Sequence, residues 1–209
     1  MTDDTFDKAP GNSNNRFAKT IIPIIEVILL AALIVIGLFF AYAFLNPSVP
    51  KKEPPVEFDT SDLINAEELE ISAKSREFST TVQDTKIFTD GKWEKDSHFF
   101  AWDVKQNDWI EWKVPVPEKG KYKISVYLTK ASDYGIVQIS MAGKNIGPKI
   151  DLWASDFRIK PTGPTDLGTF QLRPPAVKLR LQVVGRNENN SPPLYQFGID
   201  GFVLEDVGE

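Results

Sequence analysis

The pattern of apolar and polar positions divides the chain into a helical part and a strand part. From Val27 to Leu45 the sequence VILLAALIVIGLFFAYAFL carries no charge. At about 1.5 Å rise per residue such a run nearly matches a hydrocarbon core of ~30 Å. Ile21–Ile25 extend it past Pro23, which is tolerated in a first helical turn. The expectation is one transmembrane α-helix over 21–45. Downstream the period changes to two. Ile110, Trp112, Val114 and Val116 alternate with Glu111, Lys113 and Pro115. Tyr122, Ile124, Val126 and Leu128 alternate with Lys121, Lys123, Ser125 and Tyr127. Val137, Ile139 and Met141 alternate with Gln138 and Ser140, and Val177, Leu179, Leu181 and Val183 with Lys178, Arg180 and Gln182. Each reads as a strand with one wet face. Turn signals fall at Pro117–Gly120, Ala142–Asn145, Gly163-Pro164 and Pro174-Pro175. Many short strands without a long amphipathic helix predict an all-β fold, an antiparallel β-sandwich or jelly roll. Trp109 and Trp112 fall on opposite faces, and Trp112 is assigned to the core.

The rest of the organisation follows. Residues 1–20 form a polar tail. Residues 46–61 hold four prolines, which favour an extended stalk at ~3.1 Å per residue. The sandwich occupies 62–206, leaving 207–209 as a tail. Glu26 is the anomaly of the apolar run; near one end it reaches the headgroups beside a helix N-terminus. Ala41-Tyr42-Ala43 has the form of a signal-peptide cleavage site, but the run is longer than an ordinary h-region and follows a polar tail. The expectation is therefore an uncleaved anchor. Lys8, Arg16 and Lys19 against Lys51 and Lys52 favour a cytoplasmic N-terminus slightly.

Composition narrows the chemistry. The chain has no cysteine, so disulfides, thiolate metal sites and cysteine nucleophiles are excluded. A lone histidine, His98, cannot build a two-histidine zinc site, and beside Phe99 and Phe100 it reads as structural. The net charge of -5 lacks the basic footprint of a nucleic-acid partner.

Several passages resemble one family in order. They are Ile64-Asn65-Ala66-Glu67, then Trp93 and His98–Trp102, then Asp108-Trp109-Ile110-Glu111-Trp112, Val116-Pro117 and Gly120-Lys121-Tyr122. Tyr127–Gly135 and the closing Gly198–Leu204 follow. Over about residues 63–205 the chain is similar to the galactose-binding-like β-sandwich of family 6 and family 35 carbohydrate-binding modules. It is closer still to the module that accompanies some bacterial glycoside-hydrolase-like proteins. The resemblance implies a non-catalytic domain outside the cytoplasm that binds a polysaccharide or glycan through end loops or a concave face. The candidate ligand-binding residues are Trp153, Asp133, Tyr134, Asn187, Asn190 and Tyr195. It also implies a structural Ca2+ between the first and last strands, with Glu67 and Asp200 as ligands, although Asn65 stands where the family has its first Glu. The alternatives are an envelope structural domain binding other envelope proteins on the same sandwich, and a glycoside-hydrolase-related enzyme.

Overall fold

In the computed structural model the described residues are 58–155 and 158–208. No helix among them is long and apolar enough to cross a membrane; the anchor expected at 21–45 lies outside them, as does most of the expected stalk. The described residues form eleven strands and two short 3-10 turns. The strands are β1 (Ile64–Asn65), β2 (Glu70–Lys74), β3 (Ser79–Asp84), β4 (Ser97–Trp102), β5 (Trp109–Pro115) and β6 (Gly120–Lys130). They continue with β7 (Gly135–Met141), β8 (Lys144–Asp151), β9 (Lys160–Leu172), β10 (Ala176–Arg186) and β11 (Phe197–Asp206).

They pair into two antiparallel sheets. One runs β3-β4-β11-β6-β9, with β1 joining β11 at Ile64↔Phe202 and Asn65↔Gly201. The other runs β2-β5-β10-β7-β8. The apolar members of each alternating run turn inward. Ile110, Trp112 and Val114 of β5 are fully buried, as are Ile124, Val126 and Leu128 of β6, and Leu179, Leu181 and Val183 of β10. Trp112 crosses the gap between the sheets and meets Phe99 and Phe202 edge-on, at ring distances of 5.4 and 6.0 Å. Edge-to-face rings at this separation add to the burial itself. Trp109 lies on the outer face, half-buried, with the Arg180 guanidinium 3.7 Å above its ring.

Three expectations need correcting, the first being Gln138, expected on the wet face of its strand but buried, with its amide nitrogen donating to the carbonyls of Ile139 at 3.1 Å and Ile146 at 3.0 Å. Gly163-Pro164 is not a turn; it lies within β9. Gly163 takes a φ of +74°, and a Cβ there would collide with the Phe58 ring. Local sequence marks that residue as a turn, whereas it serves close approach inside a strand. Tyr127 does not face water either. It is buried, and its hydroxyl donates to the Asp59 carbonyl at 2.9 Å. The end of the segment read as stalk is thus fastened over this face; Thr60 also donates to Glu94 at 2.6 Å.

The outer face of the larger sheet holds a buried polar chain. The indole N–H of Trp93 donates to Thr129 Oγ1 at 2.8 Å. The Thr129 hydroxyl reaches His98 Nδ1 at 2.7 Å, and His98 Nε2 meets Gln83 Oε1 at 2.7 Å. A carbonyl oxygen only accepts, so Nε2 carries the proton and Nδ1 accepts from Thr129. One neutral imidazole thus serves both neighbours, accepting from Thr129 and donating to Gln83. Burial correspondingly pushes the His98 pKa down to about 4. The depressed value means that the folded state binds fewer protons than the unfolded state. Its stabilising contribution is complete above about pH 6.5 and is lost as pH falls towards 4. NMR titration of the single imidazole should find it neutral down to about that value; an ordinary midpoint near 6.5 would rule the network out. Thr129→Val, which strands the Trp93 and His98 nitrogens, should lower stability by about 1–3 kcal/mol in urea denaturation at pH 7.5.

Candidate functional site

Three loops meet at one end of the sandwich. The first, Ala131–Tyr134, joins β6 to β7. The second follows β8. There Leu152 and Ala154 turn inward and are buried, so the period of two leaves Trp153 half-exposed between them. Trp153 bridges Ala131 in parallel, and its N–H donates to Asp151 Oδ1 at 2.9 Å. The third loop, residues 187–196, is folded by its own asparagines. Asn190 is buried, and its amide nitrogen donates to the carbonyls of Tyr134 at 3.0 Å and Leu194 at 2.9 Å. Its oxygen accepts the Leu194 N–H at 3.3 Å. Asn187 donates to Asp151 Oδ2 at 2.6 Å and accepts the Asn189 N–H at 3.0 Å. Arg186 donates to the carbonyls of Asn187 and Asn190.

Between these loops lies a groove of about 480 Å3. Ser132, Asp133, Trp153, Ser155, Asn189 and Ser191 line it with Pro192 and Leu194. The structure therefore brings Trp153, Asp133 and Asn190 together. Asn190 contributes a wall, since its amide is already committed to the loop. Asn187 stands behind the groove and Tyr195 is half-buried against the core. Tyr134 is buried with its ring stacked on Phe100 at 6.0 Å, and its hydroxyl has no hydrogen-bond partner. Burial and the neighbouring Asp133 charge push its pKa well up. Burial likewise raises the Asp133 pKa. The serines and Asn189 of the lining were missed by sequence reasoning, although the run Asn189-Asn190-Ser191-Pro192-Pro193 marks a polar loop.

A second concavity, of about 490 Å3, lies beside Asp59, Asp62, Tyr127, Glu205 and Asp206. It offers no free aromatic face, because the Tyr127 ring is buried and its hydroxyl is taken.

The expected cation ligands have their own geometry. Glu67 Oε1 accepts from Ser97 at 2.7 Å, and Asp200 Oδ2 from the Glu94 N–H at 3.2 Å. Their other oxygens, Glu67 Oε2 and Asp200 Oδ1, are buried without a hydrogen-bond partner, and so is Asn65 Oδ1. The β1–β11 register sets Asn65 opposite Gly201, next to Asp200. Burial first, then the charges of Glu67 and Glu94, push the Asp200 pKa up to about 7, against the Glu94 N–H that lowers it. Native proteins rarely leave three buried oxygens orphaned in one region. Two carboxylates and an amide carbonyl are the donors a hard cation takes. Among the described residues no group of three or more His, Asp or Glu side chains could hold a metal ion, so a site here would have to draw its third side-chain oxygen from Asn65. The residues fit calcium.

No protein-family model matches the chain, and no curated protein matches it. Among solved structures it is similar to part of a Paenibacillus xanthan lyase, with 21% identity and a TM-score of 0.57 over 76% of this chain. The chain spans only 14% of that enzyme's length, and the likeness is one of fold. Looser likenesses, at TM-scores of 0.44 and 0.45, include a CBM6 module of Clostridium stercorarium in complex with cellobiose and a Podospora anserina GH26-CBM35 β-(1,4)-mannanase. The first has 9% identity over 68% of this chain and 92% of that one; the second has 12% over 69% and 27%.

Proposed function

We propose that the chain is a membrane-anchored, extracytoplasmic and non-catalytic carbohydrate-binding module of the galactose-binding-like kind. The loop-end groove carries this reading. A half-exposed indole offers its face to the C–H surface of a sugar ring. Hydroxyls, Asn189 and one carboxylate around it suit sugar hydroxyls. The loops are held by amides already spent on one another, so ordering them adds little cost on binding. A glycosidase needs two facing carboxylates, and among the described lining residues Asp133 is the one acid.

Trp153→Ala should abolish glycan binding by the full chain in nanodiscs while lowering stability by no more than about 1 kcal/mol. Unfolding of that variant would make Trp153 a packing residue. No glycan bound on a broad array, together with capture of a defined envelope protein, would favour the structural alternative.

Calcium at Asn65, Glu67 and Asp200 belongs to the same proposal. When bound, the ion would neutralise the two carboxylates and tie the first strand to the last. Without it, Asp200 has a folded pKa raised above its ordinary value of 3.8, so stability falls as pH rises from about 3.8 to 7. At pH 8 calcium should therefore raise the melting temperature and chelator should lower it. Asp200→Asn should melt higher than the parent in chelator and lose the calcium response. Identical melting curves for the parent with and without calcium would remove the ion.

The anchor is tested separately. Protease added to intact spheroplasts should degrade the C-terminal domain. Full protection of the domain, or a mature chain beginning at Phe44, would rule out this topology.

A further inference from the structure

The described lining of the groove carries charge of one sign. Around Trp153 its lining supplies hydroxyls from Ser132, Ser155 and Ser191, the amide of Asn189, and the apolar surfaces of Pro192 and Leu194. The charged side chain in that lining is Asp133, and no lysine, arginine or histidine lines the groove among the described residues. The neighbouring cation is Arg186, whose guanidinium is turned to the carbonyls of Asn187 and Asn190 behind the wall. Asp151, a further acid among the described residues nearby, is occupied by the Trp153 backbone N–H and the Asn187 amide. Among the described residues no salt bridge neutralises Asp133. Its half-buried carboxylate therefore faces a ligand uncompensated. Such a group accepts two hydroxyl hydrogens at once, which suits adjacent hydroxyls of a sugar ring. It repels a carboxylate, sulfate or phosphate brought to the same place, and part-burial weakens solvent screening of that repulsion.

We infer that the groove takes uncharged glycan chains and rejects anionic ones, and that Asp133 is the residue that discriminates. This rests on the groove being the glycan site, and the experiment separates the two claims. The full chain in nanodiscs of neutral lipid is titrated calorimetrically with a gluco-oligosaccharide and with the same oligosaccharide oxidised at C6 to the uronate. The parent should prefer the neutral ligand by about tenfold, the scale of one unit charge at contact range in a partly solvated groove. Asp133→Asn keeps an acceptor and removes the charge. It should weaken neutral binding, since a charged acceptor of sugar hydroxyls is lost, and yet gain uronate binding, so that the ratio of neutral to uronate affinity falls towards one in a variant that melts like the parent. Raising the salt concentration should narrow the parent's ratio and leave the variant's unchanged. Equal or tighter uronate binding by the parent would overturn the charge selection while leaving a glycan site in place. So would an unchanged ratio in a variant that melts like the parent. Binding of neither ligand, with a folded chain, would overturn the glycan site and this inference with it.

Discussion

The insertion of β11 between β4 and β6 is the constraint on which the rest depends. This last strand has to reach the middle of a sheet whose other members lie far behind it in the chain. Its glycines make the fit possible. A Cβ at Gly198 would press into His98 and Thr129, and one at Gly201 would collide with the Ile64 carbonyl. Small residues at these points let β1 and the His98 chain close against the strand. Phe197, Ile199 and Phe202 then fill the inter-sheet space, Phe202 against Trp112. The same placement buries Asp200, so a carboxylate becomes a core group because of where its strand must go.

That burial divides the acidic groups into two kinds. Asp200 sits with Glu67 nearby and Glu94 donating from its backbone, in a place where charge is expensive and oxygen donors are in excess. Such a cluster is relieved by protonation or by a cation. Asp133 is half-buried at the loop end, where burial raises its pKa while the side chain stays open to the groove. Similar side chains thus do different things according to how much water each retains.

The groove owes its shape to residues whose hydrogen bonds are spent within the loops. Asn190 and Asn187 look like hydroxyl-binding amides, yet their hydrogen bonds hold the third loop against Tyr134 and Asp151. The polar atoms nearest the groove are consumed in building it. What the proposed site leaves for recognition is the indole, the serine hydroxyls, Asp133 and the part of the Asn189 amide not given to Asn187. A rigid frame with few free polar groups suits modest affinity, since each sugar hydroxyl mainly exchanges water for protein.

The sequence alone determined the period-two strands, because alternation depends only on which side chains avoid water. It also placed Trp112 inside and marked the turn at Ala142-Gly143, where both residues take positive φ. Only the tertiary structure decided what crosses between segments. Gly163 carries a turn residue's signature but sits within a strand, because a distant Phe58 lies on it. Tyr127 alternates as an outward residue but is covered by the chain near Asp59. The spending of Asn187 and Asn190, and the orphaned oxygen of Asn65, depend on partners many residues away. Local pattern reports a side chain's preference for water; whether its hydrogen bonds remain free is set by neighbours that only folding supplies.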